Sequence, residues 1–419
     1  YCFIQNLESV KVSIDYRKLI YKMLSGSVVS QVIGFFSTIV IVFGFSNKDI
    51  ANYGLYYSIV SILSMILSLR MENLIYRYSE KDESSNYASS VIIFSLLNAL
   101  FIFCLLIVFG FISSSSLNFS YWLLVFWGGF SYSLYNVLIN FLVRNNEENL
   151  IVILKIGRVI VELILVVIFT VIDNPIKYIM FSMSCGYFVS SLVCFIICDK
   201  YNFPSLNIIL FYFKEWREVY IHSKFDFPAS LCNAAVLHYP QLLLSLSGNV
   251  LLASLYFQIT RFVGTPTLIV SQSIGLALKQ HAQKEFDLYN KCENSIKTYS
   301  KYLYGKLLPL VFFGSSLITL TLLYIKFDYS LQNIFISFSL VLVFIIRFIF
   351  NVLSPVVYIY GLYKDNLKYQ LFLLVSSCIS LIFYSSSIYL ILTYSLFVSL
   401  VYISYINFIS GYSMETVNG

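Results

Sequence analysis

Apolar residues gather along this chain into long unbroken runs divided by short polar segments. A run of about 20 apolar residues suffices to cross the hydrocarbon core of a bilayer as an α-helix. Twelve such runs occur, at approximately 23–45, 52–74, 87–111, 119–143, 150–172, 177–198, 225–247, 250–276, 303–325, 331–356, 369–391 and 392–412. The pattern predicts an all-α polytopic membrane protein of about twelve transmembrane helices. The last two runs nearly touch, and the turn between them is placed at Leu390 to Tyr394; ten or eleven spans are the alternatives. The two longest polar segments, near 199–224 and 277–302, fall far below the roughly 50 residues that a separate domain needs. No catalytic domain outside the membrane is expected.

The segment 199–224 divides the runs into six and six. This gives an N-terminal six-helix half with a cytoplasmic N-terminal segment (1–198), a cytoplasmic linker (199–224) and a C-terminal six-helix half (225–419). A faint repeat supports the split. Gly54-Leu55-Tyr56-Tyr57-Ser58-Ile59 reads like Ser254-Leu255-Tyr256-Phe257-Gln258-Ile259, each just inside the second run of its half. Tandem halves around a central cavity are a known transporter plan.

Composition narrows the class. Of 419 residues, 59% are hydrophobic and 11% charged, with a mean hydropathy of +0.80. The charged share is less than half of the roughly 25% usual in soluble domains. A water-soluble enzyme, a disordered chain and a nucleic-acid binder are thereby excluded. The net charge of +6 matters less than its placement. Segments on the N-terminal side of the membrane carry 22 of the 27 Lys and Arg, whereas the opposite loops hold only Lys48, Lys177 and Lys326. This is a strong positive-inside signal and predicts both termini in the cytoplasm. Lys11, Arg17, Lys18 and Lys22 precede the first run as an anchor, without a cleavable-leader pattern. Residue 1 is Tyr rather than Met, so an upstream start stays open.

The eight cysteines avoid the predicted outer loops, so disulfides are not expected. His222, His238 and His281 lack metal-ligand spacing, and neither a metal nor another cofactor is expected.

The informative residues are polar ones inside the runs. A charge at the bilayer centre costs at least about 2.5–3.5 kcal/mol and usually faces a wet cavity or a partner. Arg261 lies roughly 16 Å into its helix at 1.5 Å per residue. It shares a face with Gln258 and Thr265, and Pro266 just beyond predicts a bend or local opening. Arg347 lies on a face with Asn351 and Pro355. The fifth run carries Lys155, Arg158 and Glu162 on one face, and Arg158 and Glu162 are spaced to pair within the helix or to serve a site. The fourth run adds Ser133, Asn136 and Asn140, and the seventh Asp226, Ser230 and Asn233. Such stripes also serve simply to join helices, and Arg70 and Glu72, near a helix end, can snorkel. The balance among the deep residues is cationic, which suits an anionic substrate; a guanidinium presents a planar fork that matches phosphate oxygens. No nucleotide-binding loop occurs, so energy would come from an ion or substrate gradient.

Two stretches carry a family resemblance. The first runs from Asn52-Tyr53-Gly54-Leu55-Tyr56 to Leu69-Arg70-Met71-Glu72-Asn73-Leu74-Ile75. The second runs from Phe225-Asp226-Phe227-Pro228 through Tyr256 and Arg261 to Pro266 and Ser271-Gln272-Ser273-Ile274-Gly275. They resemble the polysaccharide flippases of the multidrug/oligosaccharidyl-lipid/polysaccharide superfamily, bacterial inner-membrane transporters of lipid-linked O-antigen or capsule repeat units. The motifs cover about 75 residues. Ser254 departs from the family's usual Gly before the Tyr of the eighth span. The resemblance implies an undecaprenyl-pyrophosphate-linked oligosaccharide as substrate. Arg70, Glu72 and Arg261 carry over by motif, whereas Arg158, Glu162 and Arg347 rest on depth alone. Together they give Arg261, Arg347, Arg158 and Arg70 as substrate-binding residues and Glu162, Asp226 and Glu72 as ion-coupling candidates, with no catalytic residue. Expected partners are the lipid-linked substrate, membrane lipids and polysaccharide assembly proteins. Two alternatives stand beside this reading. A membrane-embedded glycan polymerase would call for a long outer loop, and an ion-coupled antiporter of the same superfamily would call for several buried acids.

Overall fold

The computed structural model describes residues 29–77, 81–113, 119–145, 147–170, 175–197, 216–289, 291–327, 330–384 and 386–415. The basic segment Lys11–Lys22 and most of the linker, including Lys200 and Lys214, lie outside the described residues.

Among the described residues the long helical segments number twelve, in the order that the apolar runs predict. They are α1 (Val29–Gly44), α2 (Asn47–Ser68), α3 (Lys81–Ser113), α4 (Phe119–Arg144), α5 (Glu148–Phe169), α6 (Pro175–Ile197) and α7 (Trp216–Leu246). The eighth, α8, has three parts, Val250–Ile259, a π-turn Thr260–Gly264, and Thr265–Tyr289. Then come α9 (Glu293–Lys326), α10 (Leu331–Leu353), α11 (Tyr363–Ile379, ending in a 3₁₀ turn Ser380–Phe383) and α12 (Ser387–Glu415). Eight of these segments are long and apolar enough to cross a membrane by length and composition alone. Large apolar side chains stand exposed along them, among them Ile196, Leu310, Phe313 and Ile382. In water such surface would drive aggregation, whereas in a bilayer it meets hydrocarbon. The chain is a multi-pass membrane protein.

Three departures from the apolar-run boundaries have simple causes. α3, α7 and α9 begin before their runs, and α8 continues past its own, because helix propensity outlasts apolarity: Arg217, Glu218, Lys279 and Lys297 favour a helix as much as most apolar residues do. The turn between α11 and α12 falls at Tyr384–Ser386 rather than at Leu390–Tyr394. Leu390 and Tyr394 are instead buried on α12, and the signal passed over is the serine cluster 385–387, a turn composition. The opening expected near Arg261 takes a definite form. The π-turn Thr260–Gly264 ends two residues before Pro266, and a second π-turn, Leu303–Leu307, ends two residues before Pro309. A π-turn absorbs the carbonyl that proline cannot bond. At the first, the Thr265 backbone N–H and hydroxyl both turn to the Thr260 carbonyl.

The chain forms two compact units, Val32–Ser254 and Leu255–Gly419. In the first, α6 packs on α4 and α5, and α2 packs on α4 and α7. In the second, α10 packs on α8 and α12, and α11 packs on α12. Tyrosines fill both cores: Tyr53, Tyr56 and Tyr87 in the first, Tyr394, Tyr402 and Tyr405 in the second. A buried tyrosine hydroxyl needs a partner. Tyr56 finds two, the Leu124 carbonyl at 3.2 Å and the Ser184 hydroxyl at 2.5 Å, and Tyr405 donates to Asn366 at 2.7 Å.

Candidate functional site

The first unit holds a buried polar cluster built from α2, α4, α5 and α6. Glycine makes it compact. A Cβ at Gly186 would stand 2.8 Å from the Arg158 carbonyl oxygen and 3.3 Å from Glu162 Cβ, so only glycine lets α6 lie this close to α5. The next residue, Tyr187, receives Arg158: guanidinium Nη1 donates to its hydroxyl at 2.6 Å. The same guanidinium lies 4.8 Å from the Tyr187 ring centroid and 6.0 Å from that of Tyr135, within cation–π range of both. Tyr132 stacks on Tyr187 at 4.5 Å, and Tyr135 meets it edge-on at 5.1 Å. Glu162, only 5% exposed, accepts from the Tyr53 hydroxyl at 3.3 Å. Arg158 and Glu162 are thus close on one helix yet engaged elsewhere, and among the described residues no ion pair joins them. Arg158 hydrogen-bonds Tyr187 and Glu162 accepts from Tyr53, while the two charges still act on each other at longer range.

One helical turn along α2 from Tyr53 stands Tyr57. It meets the His238 ring edge-on at 5.7 Å and lies beside Tyr132 and Tyr187. His238 Nδ1 lies 3.1 Å from the Ser58 hydroxyl. His238, on α7, therefore ties the start of the second motif region to the first.

A second junction lies at the end of α2. Leu69 and Arg70 both take left-handed backbone, with φ of 48° and 58°. For residues with a side chain this costs about 1–3 kcal/mol each, and it is found where surrounding structure holds it in place. The reversal turns the Arg70 guanidinium onto Glu72 at 3.4 Å, with Glu72 only 1% exposed. Glu72 Oε2 is buried without a hydrogen-bond partner among the described residues. Asn73 then donates to Asp226 of α7 at 2.9 Å. The two motif stretches, far apart in sequence, meet here.

In the second unit Arg347 is 7% exposed and sits among tyrosines of α8 and α12. Tyr402 hydrogen-bonds it, and Tyr256 and Tyr394, bonded to one another, lie beside it. Its Nε has no hydrogen-bond partner among the described residues. Arg261 is half-buried in the π-turn of α8, with its guanidinium 5.4 Å from the Phe257 ring centroid. The polar stripe on α4 makes one bond to a neighbouring helix and one within its own. Ser133 donates to Ser95 of α3 at 3.2 Å, and Asn140 turns back to the Asn136 carbonyl at 2.9 Å.

The structure therefore brings Arg158 and Glu162 into one cluster, and Arg70, Glu72 and Asp226 into a second. Arg261 and Arg347 lie in the other unit. What sequence reading missed is the aromatic frame: Tyr53, Tyr57, Tyr132, Tyr135, Tyr187, Tyr402 and His238. The available signal was spacing, since Tyr53 and Tyr57, like Tyr132 and Tyr135, recur at helical intervals that share a face. Among 35 tyrosines such intervals do not stand out. Outside the spans, burial pushes the Cys292 thiol up and the Tyr360 hydroxyl to about 12. Cys292 is then a thiol rather than a thiolate at neutral pH, which fits a structural residue.

Among the described residues, twelve long helical segments that bury Arg347, Glu162 and Asp226 define a polytopic fold of the transporter type. The sequence model for polysaccharide biosynthesis proteins matches residues 17–250, more than half of the chain, and the protein belongs to that family. Solved structures agree on the fold. An inward-facing multidrug resistance MATE family transporter of the MOP superfamily superposes with a TM-score of 0.63 at 12% identity, covering 91% of this chain and 94% of the other. The outward-facing form of such a transporter also gives 0.63, at 13% identity with 96% and 95% covered. A MOP superfamily transporter from Pyrococcus furiosus, described as having a binding pocket of reverse polarity, gives 0.54 at 16% identity, with 96% and 95% covered. A comparison with curated protein sequences finds no match.

Proposed function

We propose that the protein is a flippase that moves an undecaprenyl-pyrophosphate-linked oligosaccharide repeat unit, of O-antigen or capsule type, from the cytoplasmic to the periplasmic face of the bacterial inner membrane. The observation that supports this is membership in the polysaccharide biosynthesis family together with arginines inside membrane helices, Arg347 buried and Arg158 and Arg261 half-buried. Arg158 on the faces of Tyr135 and Tyr187, Arg261 over Phe257 and Arg347 bonded to Tyr402 put cations beside aromatic rings, a chemistry that suits a diphosphate joined to sugars. The reported reversal of pocket polarity in the Pyrococcus transporter supports the idea that this fold accepts substrates of different charge. Arg261 and Arg347, with Arg158 and Arg70, offset the phosphate charge; the prenyl tail stays in lipid. Glu162, Asp226 and Glu72 are the acids available to couple the cycle to an ion. The protein performs no bond chemistry in this reading, which calls on no cofactor and no metal.

The test is export in cells that depend on the protein. Arg261→Ala removes a half-buried guanidinium from the π-turn. It should lower export by at least about tenfold at unchanged protein level, the scale set by one charge-assisted contact to phosphate. Export at the wild-type rate would remove Arg261 from the mechanism.

A further inference from the structure

In the second unit α10 and α12 run side by side in the same direction, since their contacts advance together along both: Ser339 donates to Ser395 at 3.3 Å, and further on Arg347 bonds Tyr402. Ser395, Ser399 and Tyr402 recur at spacings of four and three, so they form one stripe on α12. The first and last of the three meet α10. Ser399 between them is 5% exposed, and its hydroxyl has no hydrogen-bond partner among the described residues. Other serines within these helices turn back on their own backbone, as Ser58, Ser95, Ser273 and Ser377 do. Arg347 is buried in the same seam. Its Nε is likewise unpartnered, and among the described residues no carboxylate pairs with it. Tyr394 and Tyr402 both lie beside its guanidinium, and Ser399 stands between those two along α12. From this arrangement we infer that Arg347 and Ser399 form a buried anion-binding site that takes a phosphate-type oxyanion. The inference rests on the reading of Arg347 as a phosphate-binding residue and adds Ser399 to it.

The physical argument is one of unmet need. Buried charges are ordinarily paired, and a buried donor left without an acceptor loses the hydrogen bond that it made in water. Both deficits fall in one place here. A helical side chain leans toward the N-terminus of its own helix, so Arg347 reaches back from the level of Tyr402 toward that of Ser399. Its surroundings, Tyr256, Tyr394 and Tyr402, bring hydroxyls rather than carboxylates. An oxyanion in the seam would supply the missing charge and accept from the Nε–H and the serine hydroxyl together. Water would meet the hydrogen bonds but not the charge. The planar guanidinium fork matches phosphate oxygens, and the serine hydroxyl adds a donor from the facing helix. Free phosphate and the diphosphate of a prenyl-linked substrate present the same chemistry to these two residues.

The test measures binding to the purified full chain in detergent and involves no export, so its failure would leave the Arg261 export result standing. The thermal midpoint is followed as sodium phosphate replaces sodium gluconate at constant ionic strength. A ligand that binds only the folded chain raises the midpoint, and the wild type should show a saturable rise. Arg347→Met should show none. Ser399→Ala should need about tenfold more phosphate for the same rise, the scale of one hydrogen bond to a charged group. Ser399→Ala also serves alone should Arg347→Met fail to fold. Farnesyl diphosphate is the second probe. A rise at about tenfold lower concentration than phosphate, lost in Arg347→Met, assigns the site to the prenyl-linked substrate; a rise with phosphate alone assigns it to a free anion. A wild-type midpoint that answers neither probe overturns the inference and leaves water in the seam. A rise that persists in Arg347→Met, or an unchanged response in Ser399→Ala, overturns it as well.

Discussion

Gly186→Leu is expected to abolish folded, membrane-inserted protein. A Cβ at this position already meets the Arg158 carbonyl at 2.8 Å, and backbone cannot step aside as a side-chain tip can. Overpacking of a tight interface costs about 1–3 kcal/mol for small additions and more for a branched side chain. α6 packs on both α4 and α5, so moving it breaks the Arg158–Tyr187 bond and the packing of Tyr187 on Tyr132 and Tyr135. Gly305→Ala is the control. Nothing lies within 4 Å of a Cβ there, and its backbone is helical, so alanine should be neutral or stabilising by up to about 1 kcal/mol. The comparison is made by fluorescence-detected size exclusion on detergent extracts. A monodisperse Gly186→Leu protein in wild-type amount would mean that the α5–α6 contact is looser than described.

The second large effect is expected at Arg347. Its side chain is buried among Tyr256, Tyr394 and Tyr402, and alanine would leave both a cavity and tyrosine hydroxyls short of a partner. Loss of a hydrogen bond to a charged group costs about 1.5–3 kcal/mol, and large-to-small replacement in a packed core about 2–5 kcal/mol. Arg347→Ala should therefore lower the thermal midpoint in detergent by several degrees and reduce export. Arg347→Met, which fills the space without charge, separates the two contributions. If it restores the midpoint but not export, the guanidinium serves transport; if it restores both, Arg347 is a packing residue.

Much of the fold was legible because in a membrane the sequence must declare it. Every span shows as an apolar run, and the order of the twelve long segments follows those runs. Helix ends were less legible. Polar extensions such as Trp216–Lys224 are helical without being apolar, and the serine turn before α12 is short. The local opening beside Arg261 could be read from Pro266, since a missing N–H has one local consequence whatever surrounds it. The site was only half legible. Charges inside apolar runs flag themselves, so Arg158, Glu162 and Arg347 stood out by depth. Their partners did not, because which tyrosine meets which arginine depends on helix rotation and on glycines such as Gly186. The Arg158–Glu162 spacing marked a pair within one helix but could not show the hydrogen bond from Arg158 to Tyr187 on the neighbouring helix.

The central claim is that arginines inside these helices line a hydrated path for a phosphate-bearing substrate, and accessibility at residue 261 tests it most directly. Arg261→Cys is placed in a variant from which the native cysteines have been removed, and cells or vesicles are treated with a charged, membrane-impermeant thiol reagent. The account predicts modification of that cysteine from the aqueous phase, slowed when the lipid-linked oligosaccharide is present. A thiol that never reacts until the protein is denatured would contradict it.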